Sequence, residues 1–145
     1  MVSLEPAALA KACADAMWES DDASRSLGMV IEDVGPGTAR LSMKIRPSMV
    51  NGYGICHGGL LATLADSAFA FACNTHGTVT VASGFEVTFL ESGRLGEVLV
   101  AEAREVALRG RSGIYDVTVR QGDDVIAEFR GRSRSLGRPI LEEDR

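Results

Sequence analysis

A glycine-rich loop that contains a histidine and leads directly into an apolar helix is the segment best suited to chemistry. It reads Asn51-Gly-Tyr-Gly-Ile-Cys-His57-Gly58-Gly59, and Asp66 follows in the middle of the predicted helix. Backbone N–H groups at a helix N-terminus carry a partial positive charge of about half a unit, which suits an oxygen that becomes negative during a reaction. A carboxylate can act as a base or as a nucleophile. Together the two features indicate an acyl-transfer site.

Each of these residues also has a purely structural interpretation. Asp66 fits the exposed side of an amphipathic helix, His57 fits a structural histidine, and two glycines can simply form a turn. However, the helix face that carries Asp66 lacks the Lys, Glu and Arg of a solvated face, so we interpret it as the floor of a cleft. Two glycines start a helix less well than a Ser or Asp cap, which implies a close approach to the backbone. The face consists of Gly59, Thr63, Asp66, Ser67, Ala70 and Asn74.

The cysteines and the second histidine are given no catalytic role. Cys13, Cys56 and Cys73 contain no Cys-x-x-Cys pair, so they predict neither a disulfide framework nor a zinc site. Cys56 adjoins His57, but adjacent side chains rarely meet, and a small buried cysteine is the preferred interpretation. His76 has no partner signal in the sequence. Two histidines and scattered cysteines predict no metal site.

The spacing of the two candidate groups predicts an assembly. Gly58 and Asp66 are eight residues apart, which is roughly 12 Å along a helix that rises about 1.5 Å per residue. An aspartate side chain cannot span that distance to reach the same carbonyl. If both groups act on one substrate, they come from different copies of the helix at a two-fold interface. The sequence therefore predicts a homodimer.

The order of the elements predicts an α+β fold in which an antiparallel sheet wraps around one long helix. Apolar and polar residues alternate in the strands, and the helix has a broad apolar face of Leu61, Leu64, Ala65, Ala68 and Ala72 flanked by Phe69 and Phe71. We expect a single domain over 1–145 with a frayed tail over about 137–145. The predicted helices cover 5–20 and 57–75, and the predicted strands cover 29–34, 38–45, 80–90, 97–108, 113–121 and 125–135.

Composition narrows the class of protein. The 145 residues are 46% hydrophobic and 24% charged, as in an ordinary globular domain, and the net charge of −5 disfavours nucleic acid as a partner. The start of the chain lacks the features of a signal peptide, and the apolar stretch over 60–73 is short for a membrane span. We therefore predict a cytoplasmic protein without a membrane partner. Eight arginines between residues 104 and 138 form either a local anion site or solvated strand faces.

Four blocks of the sequence resemble the hotdog-fold acyl-CoA thioesterases, and most closely the phenylacetic-acid-degradation branch. They are Asn51-Gly-x-x-x-Cys-His57-Gly58-Gly59, Leu64-Ala65-Asp66-x-Ala68-Phe69-Ala70-x-Ala72-Cys73-Asn74, Arg109-Gly-Arg-Ser-Gly-Ile-Tyr115-Asp116-Val117 and Phe129-Arg130-Gly131-Arg132-Ser133. The resemblance covers nearly the whole chain. It implies the hotdog fold, dimers that commonly pair into tetramers, and hydrolysis of acyl-CoA to a free acid and coenzyme A without any separate cofactor.

The resemblance also implies roles for individual residues. Asp66 matches the catalytic carboxylate, Gly58 matches the oxyanion N–H, and Asn51 and His57 match the loop residues that orient the site. A serine or threonine that some members use on the following strand falls near Ala82 or Ser83, and that role stays open. Residues expected to bind substrate and coenzyme A are Gly59, Val81, Ala82, Ser83, Arg109, Gly110, Arg111 and Ser112.

Two other functions are compatible with the same fold. A hydratase or dehydratase of acyl thioesters pairs a histidine with a carboxylate, but here His57 precedes the glycines and Asp66 lies within the helix, which favours a hydrolase. A non-catalytic acyl-CoA sensor or scaffold is disfavoured by the presence of Asp66 and by the lack of a DNA-binding segment.

Overall fold

A computed structural model describes residues 3–142, which contain six strands and three helices, and the apolar core lies between the sheet and the two longer helices. A single 3-10 turn over Pro47–Met49 precedes the loop of the candidate site. The elements are α1 (Pro6–Ser20), α2 (Asp22–Ser26), β1 (Val30–Gly35), β2 (Thr38–Lys44), α3 (Gly58–Cys73), β3 (Thr78–Phe89), β4 (Val98–Arg109), β5 (Ser112–Gln121) and β6 (Asp124–Pro139).

The six strands form one antiparallel sheet in the order β1-β2-β4-β5-β6-β3. The predicted α+β architecture is therefore confirmed, with the sheet curved around α3. Strands β1 and β3 are the two edges of the sheet. Strand β3 follows α3 directly in the chain, and within residues 3–142 it pairs only with β6, which leaves its other edge open.

Helix α3 lies against the concave face of the sheet and buries the side predicted from its sequence. Leu61, Leu64, Ala65 and Ala68 are almost completely buried, as are Ala72 and both flanking phenylalanines. The ring of Phe69 packs on the backbone of Gly131 in β6, where an added Cβ would lie only 2.8 Å from the ring. This close approach requires glycine at that position, since any side chain would push the helix away from the sheet.

The second face of α3 is only partly the cleft floor that its small residues predicted. Ser67 and Asn74 are buried, because each is bonded to another element of the same chain. The Ser67 hydroxyl lies 2.8 Å from that of Ser24 in α2. The Asn74 side chain donates to the carbonyl of Thr80 and accepts from its N–H, which joins the end of α3 to the start of β3.

The structure also corrects the predicted ends of the chain. Helix α2 was not predicted, since its five residues are mostly polar and carry no helical pattern. The predicted frayed tail over 137–145 begins too early, because β6 continues to Pro139, which pairs with Thr78. The N–H of Ile140 then donates to the carbonyl of Gly77 at 2.9 Å. Residues 143–145 of the predicted tail lie outside the described residues.

Candidate active site

Asn51 shapes the loop that precedes α3. Its side-chain oxygen accepts hydrogen bonds from the N–H groups of Tyr53 at 2.9 Å and Ile55 at 3.4 Å. Its own N–H donates to the carbonyl of Ile55 at 2.8 Å. Asparagine commonly bonds to the backbone in this way and mimics a turn. Asn51 therefore holds the loop in one conformation.

His57 is the N-cap of α3. Its Nδ1 atom accepts from the N–H of Gly59 at 3.4 Å, and its backbone N–H donates to the carbonyl of Met49 at 2.8 Å. A ring nitrogen that accepts a hydrogen bond carries no proton, so the proton of a neutral His57 ring resides on Nε2. Through these contacts His57 fixes the position of the first turn of α3.

Gly58, the first residue of α3, presents a backbone N–H that has no acceptor within residues 3–142. The N–H groups of Cys56, His57, Gly59 and Leu60 all have acceptors there. The free N–H lies at the positive end of a helix of sixteen residues. It is therefore a donor that an oxygen of a ligand can use.

The ring of Phe89 in β3 covers Gly58 from one side. A Cβ added at Gly58 would lie 3.2 Å from this ring, which is tighter than ordinary contact. Gly58 and Phe89 both line a cleft of about 310 Å³, and Asn51, Leu61 and Glu91 also line it. The cleft brings together the loop, the start of α3 and the end of β3.

Asp66 lies two turns further along α3 with its carboxylate partly exposed. Burial raises the pKa of this carboxyl above its usual range, and the negative charge of Asp21 raises it further. Within residues 3–142 the Asp66 carboxylate accepts no hydrogen bond from any side chain or backbone group. A carboxylate that lacks donors and has a raised pKa is a stronger base than an ordinary surface aspartate.

Gly58 and Asp66 do not meet within one chain. The cleft that contains Gly58 has no contribution from Asp66. The helical rise places the two residues roughly 12 Å apart along the α3 axis. The prediction that they serve different half-sites stays a prediction, and the geometry of α3 agrees with it.

The remaining predicted binding residues fall into two groups. His57 and Gly59 line a second cleft of about 400 Å³ beside Met49 and Leu60. Ser83, Arg109 and Ser112 line a third cleft of about 350 Å³, which also includes Arg132. Val81, Ala82, Gly110 and Arg111 lie next to this third cleft along β3 and at the turn between β4 and β5, but they do not line it.

Several arginines of the predicted basic patch are engaged in ion pairs. Arg130 binds Asp116 with two hydrogen bonds of 2.7 and 2.9 Å, and these bonds hold the pKa of Asp116 below its usual range. Arg132 contacts Glu86 at 3.1 Å. Their charges are therefore partly balanced within the sheet, which leaves the arginines around the β4–β5 turn as the better candidates for an anionic ligand.

His76 has a partner that its sequence context did not indicate. Its Nε2 atom lies 2.7 Å from the Oε1 atom of Glu105, and the buried Tyr115 hydroxyl donates to the same oxygen at 2.7 Å. Burial alone would raise the pKa of Glu105, but the hydrogen bonds from His76 and Tyr115 outweigh it and lower that pKa. His76, Glu105 and Tyr115 thus form a hydrogen-bonded cluster at the C-terminal end of α3.

Two negative findings apply to residues 3–142. No three His, Cys, Asp or Glu side chains in this range lie together in a way that would hold a metal ion. None of the helices described there combines the length and the apolar character that crossing a membrane needs.

The comparisons with known proteins agree with the fold. The thioesterase superfamily matches residues 53–128, which include the histidine, the glycines and Asp66. The chain belongs to the thioesterase superfamily. Within it, the chain falls in the hotdog-fold phenylacetic-acid-degradation branch, and it is accordingly a thioester hydrolase.

The individual relatives are similar over most of their length. Acyl-coenzyme A thioesterase PaaI of Escherichia coli is 40% identical over 90% of this chain and 94% of its own. Acyl-coenzyme A thioesterase 13 of Homo sapiens is 31% identical over 84% and 90%. The solved structure of the E. coli PaaI protein from the phenylacetic acid degradation operon superposes with a TM-score of 0.91 and 36% identity, over 93% of this chain and 99% of that one.

Proposed function

We propose that this protein hydrolyses an acyl-CoA with an aryl-acetyl type of acyl group, such as phenylacetyl-CoA or a hydroxylated relative, to the free acid and coenzyme A. The N–H of Gly58 at the start of α3, which has no acceptor in the described part of the chain, is the observation that carries the proposal. It supplies the oxyanion donor that thioester cleavage needs, and Asp66 supplies a carboxylate with a raised pKa. The names of the relatives support acyl-CoA as the substrate class.

In the proposed mechanism the Gly58 N–H binds the thioester oxygen and stabilises the negative charge that forms on it. Asp66 either removes a proton from the attacking water or attacks the carbonyl itself and is released by water afterwards. In both routes a C–O bond forms, the C–S bond breaks, and the thiolate of coenzyme A takes up a proton. Asn51 and His57 hold the loop in place, so neither is needed as a proton carrier.

The open edge of β3 supports a homodimer that completes the site. Phe85, Val87 and Phe89 alternate along the inner side of this strand. Phe85 stacks on Phe129, yet 43% of Phe85 and 47% of Phe89 remain exposed because no strand of residues 3–142 lies beyond them. A second copy paired at this edge covers these rings and brings its own α3 near Gly58. The predicted tetramer would require a further contact between dimers.

Coenzyme A is proposed to lie along the third cleft. Arg109 and Ser112 line this cleft, and Gly110 and Arg111 form the turn between them, so cationic and backbone groups are available for phosphates. Three residues of β3 are proposed to line the path of the pantetheine arm, namely Val81, Ala82 and Ser83. The Arg111→Ala variant is expected to raise the KM for acyl-CoA with little change in kcat, and an unchanged KM removes Arg111 from the proposal.

The activity itself is tested by thiol release from phenylacetyl-CoA, its hydroxylated relatives and aliphatic acyl-CoAs. We expect thiol release, with the highest kcat/KM on aryl-acetyl substrates. Water addition to crotonyl-CoA without thiol release would instead establish a hydratase. Binding of acyl-CoA without any turnover would establish a non-catalytic sensor.

The shared site is tested by mixing two inactive variants. Gly58→Pro removes the N–H at the first position of a helix, where proline is well tolerated, and Asp66→Asn removes the base. In a heterodimer of these chains one site is intact and the other carries both changes. Random exchange of subunits should therefore restore about a quarter of wild-type activity. If the mixture stays as inactive as its components, the two groups do not serve one site across an interface.

A further inference from the structure

A short hydrogen-bonded chain joins the N-terminal segment to α3 beside Asp66. Asp21 caps α2 and accepts from the Ser24 N–H at 3.0 Å and from the Ser24 hydroxyl at 2.7 Å. The Ser24 hydroxyl also lies 2.8 Å from that of Ser67, which directly follows Asp66 in α3. Ser24 and Ser67 are both buried. The chain therefore runs from a carboxylate, through a buried contact, to the neighbour of the candidate base.

The direction of these hydrogen bonds follows from counting protons. A hydroxyl has one proton, and that of Ser24 is donated to the Asp21 carboxylate, which can only accept. Ser67 must then donate to Ser24. A serine within a helix commonly bonds back to a carbonyl of its own helix, whereas Ser67 bonds to α2. The hydroxyl of Ser67 thus ties the middle of α3 to the negative charge of Asp21.

We propose that Asp21 is a positioning residue for Asp66, because it holds α2 against α3 through Ser24 and Ser67 and so fixes the part of α3 that carries the Asp66 side chain. Burial raises the pKa of Asp66, and the negative charge of Asp21 adds to that rise. The proposal rests on the proposed role of Asp66. It adds a residue from the N-terminal segment, outside the loop and the long helix, to the groups that govern the reaction.

Among the described residues, Asp21 is the charged group that raises the pKa of Asp66, in addition to the larger effect of burial. Burial raises the pKa of Cys73 to about 12, so this thiol, further along α3, is neutral at ordinary pH. Glu105 of β4 and Tyr115 of β5 face the far end of the helix, where they bond to each other. Burial likewise raises the pKa of the Cys13 thiol of α1, whose partner is the backbone of Gly77.

The Asp21→Asn variant removes the negative charge of residue 21 but keeps its hydrogen bonds to Ser24. The amide oxygen still accepts from the Ser24 N–H, and the hydroxyl chain can reverse, so that Ser24 donates to Ser67. Asp22→Asn is the matched control, because Asp22 adjoins Asp21 but its side chain is 96% exposed and forms an ion pair with Arg25. The two variants make the same chemical change one residue apart.

The measurement is the pH dependence of kcat/KM together with a carbon-13 titration of the Asp66 carboxyl without substrate. We expect the acid limb of the profile and the titration midpoint both to move to lower pH in Asp21→Asn and to stay at the wild-type value in Asp22→Asn. Curves of Asp21→Asn that superimpose on those of the wild type would overturn the proposal. The titration needs no turnover, so a protein that cleaves no thioester fails the proposed function while the titration still decides the role of Asp21.

The contact through Ser67 is tested separately with Ser67→Ala and Ser67→Thr. We expect Ser67→Ala to lower kcat about tenfold with little change in KM, since a displaced catalytic group slows turnover steeply. Ser67→Thr retains the hydroxyl and should recover most of that loss. Equal kcat in Ser67→Ala and the wild type, in protein whose unfolding midpoint confirms folding, would remove Ser67 and Ser24 from the positioning chain.

Discussion

Within residues 3–142, key polar groups in the first half of α3 lack hydrogen-bond partners, whereas those at its C-terminal end have them. The Gly58 N–H and the Asp66 carboxylate have no partner within the described residues, although Gly58 lies beside the Phe89 ring and Asp66 is partly buried. At the other end, Asn74 bonds to Thr80, and Tyr115 bonds to Glu105. The first half thus leaves the Gly58 N–H and the Asp66 carboxylate available to a ligand, whereas the groups named at the C-terminal end bond to other parts of the fold.

This difference separates groups that act on a ligand from groups that hold the fold. Burying a polar group without a partner costs stability, so a protein retains such groups where a ligand or a second subunit supplies the partner. The paired cluster at the C-terminal end is satisfied without any ligand. Substitutions in the first half should therefore affect turnover, and substitutions at the C-terminal end should affect stability.

The largest effect is expected for Asp66→Asn. Turnover should fall by about 10²–10⁴-fold, the usual range for a lost general base. Folding raises the pKa of the Asp66 carboxyl, so the wild-type protein loses stability as pH increases through that pKa and the carboxyl becomes charged. Asp66→Asn carries no such charge, so its free energy of unfolding should be higher than that of the wild type.

Urea unfolding of Asp66→Asn and of the wild type at pH 7 and at pH 4 checks the second part. The gain in stability should be present at pH 7 and should shrink at pH 4, where Asp66 is more protonated. Asp15→Asn, a change at an exposed position of α1, is the control. Near-full turnover by folded Asp66→Asn protein would place the base elsewhere.

The next effect concerns the donor at Gly58, and it requires two variants. Gly58→Ala and Gly58→Pro both add a Cβ near the Phe89 ring, and only proline removes the N–H. Relative to Gly58→Ala, the proline variant should lose about a hundredfold or more in kcat, as for a deleted oxyanion donor. Similar kcat values for the two would show that the N–H is not used.

A smaller effect, on stability alone, is expected for Glu105→Gln at the C-terminal end. The variant loses the charge that His76 and Tyr115 bind, and it should be less stable by about 1–2 kcal/mol because hydrogen bonds to charged groups are the stronger ones. Since folding lowers the pKa of Glu105, this stabilisation is present above the ordinary glutamate pKa and is lost as pH falls through the acid range. Urea unfolding at pH 7 and at pH 4 measures both, and kcat should not change.

The smallest effect is expected for Tyr115→Phe. The ring stays packed on Phe69, and only the hydrogen bond to Glu105 is lost, so the cost should be about 1 kcal/mol. Thermal and urea unfolding give the loss, and thiol release gives the activity. A fall in kcat without a fall in stability would assign the C-terminal cluster a role in the reaction and would break the division between the two regions.

The sequence predicts the elements whose pattern is local. Alternation in the strands and the broad apolar face of α3 place the sheet and the core, because burial on one side imposes a period. Helix α2 has no such period and is held by the contact between Ser24 and Ser67, which are far apart in the chain. The partner of His76 is equally distant, since Glu105 comes from another strand.

The candidate site divides in the same way. The loop, the glycines and Asp66 are predictable because their residue types stand in one short segment with a helix after it. The pairing of Arg130 with Asp116 and of Arg132 with Glu86 depends on strand register, which the sequence does not specify. The influence of Asp21 on Asp66 depends on how α2 packs against α3, and no local sequence pattern predicts that packing.

The open edge of β3 also affects a newly synthesised chain before it meets a second copy. An unpaired strand with Phe85 and Phe89 half exposed can pair with any other extended segment, which is a hazard for aggregation. Pairing with a second copy of itself removes that edge. By mass action, the apparent stability should then rise with protein concentration, so a cell that makes too little of this protein would have less of it folded as well as less of it active.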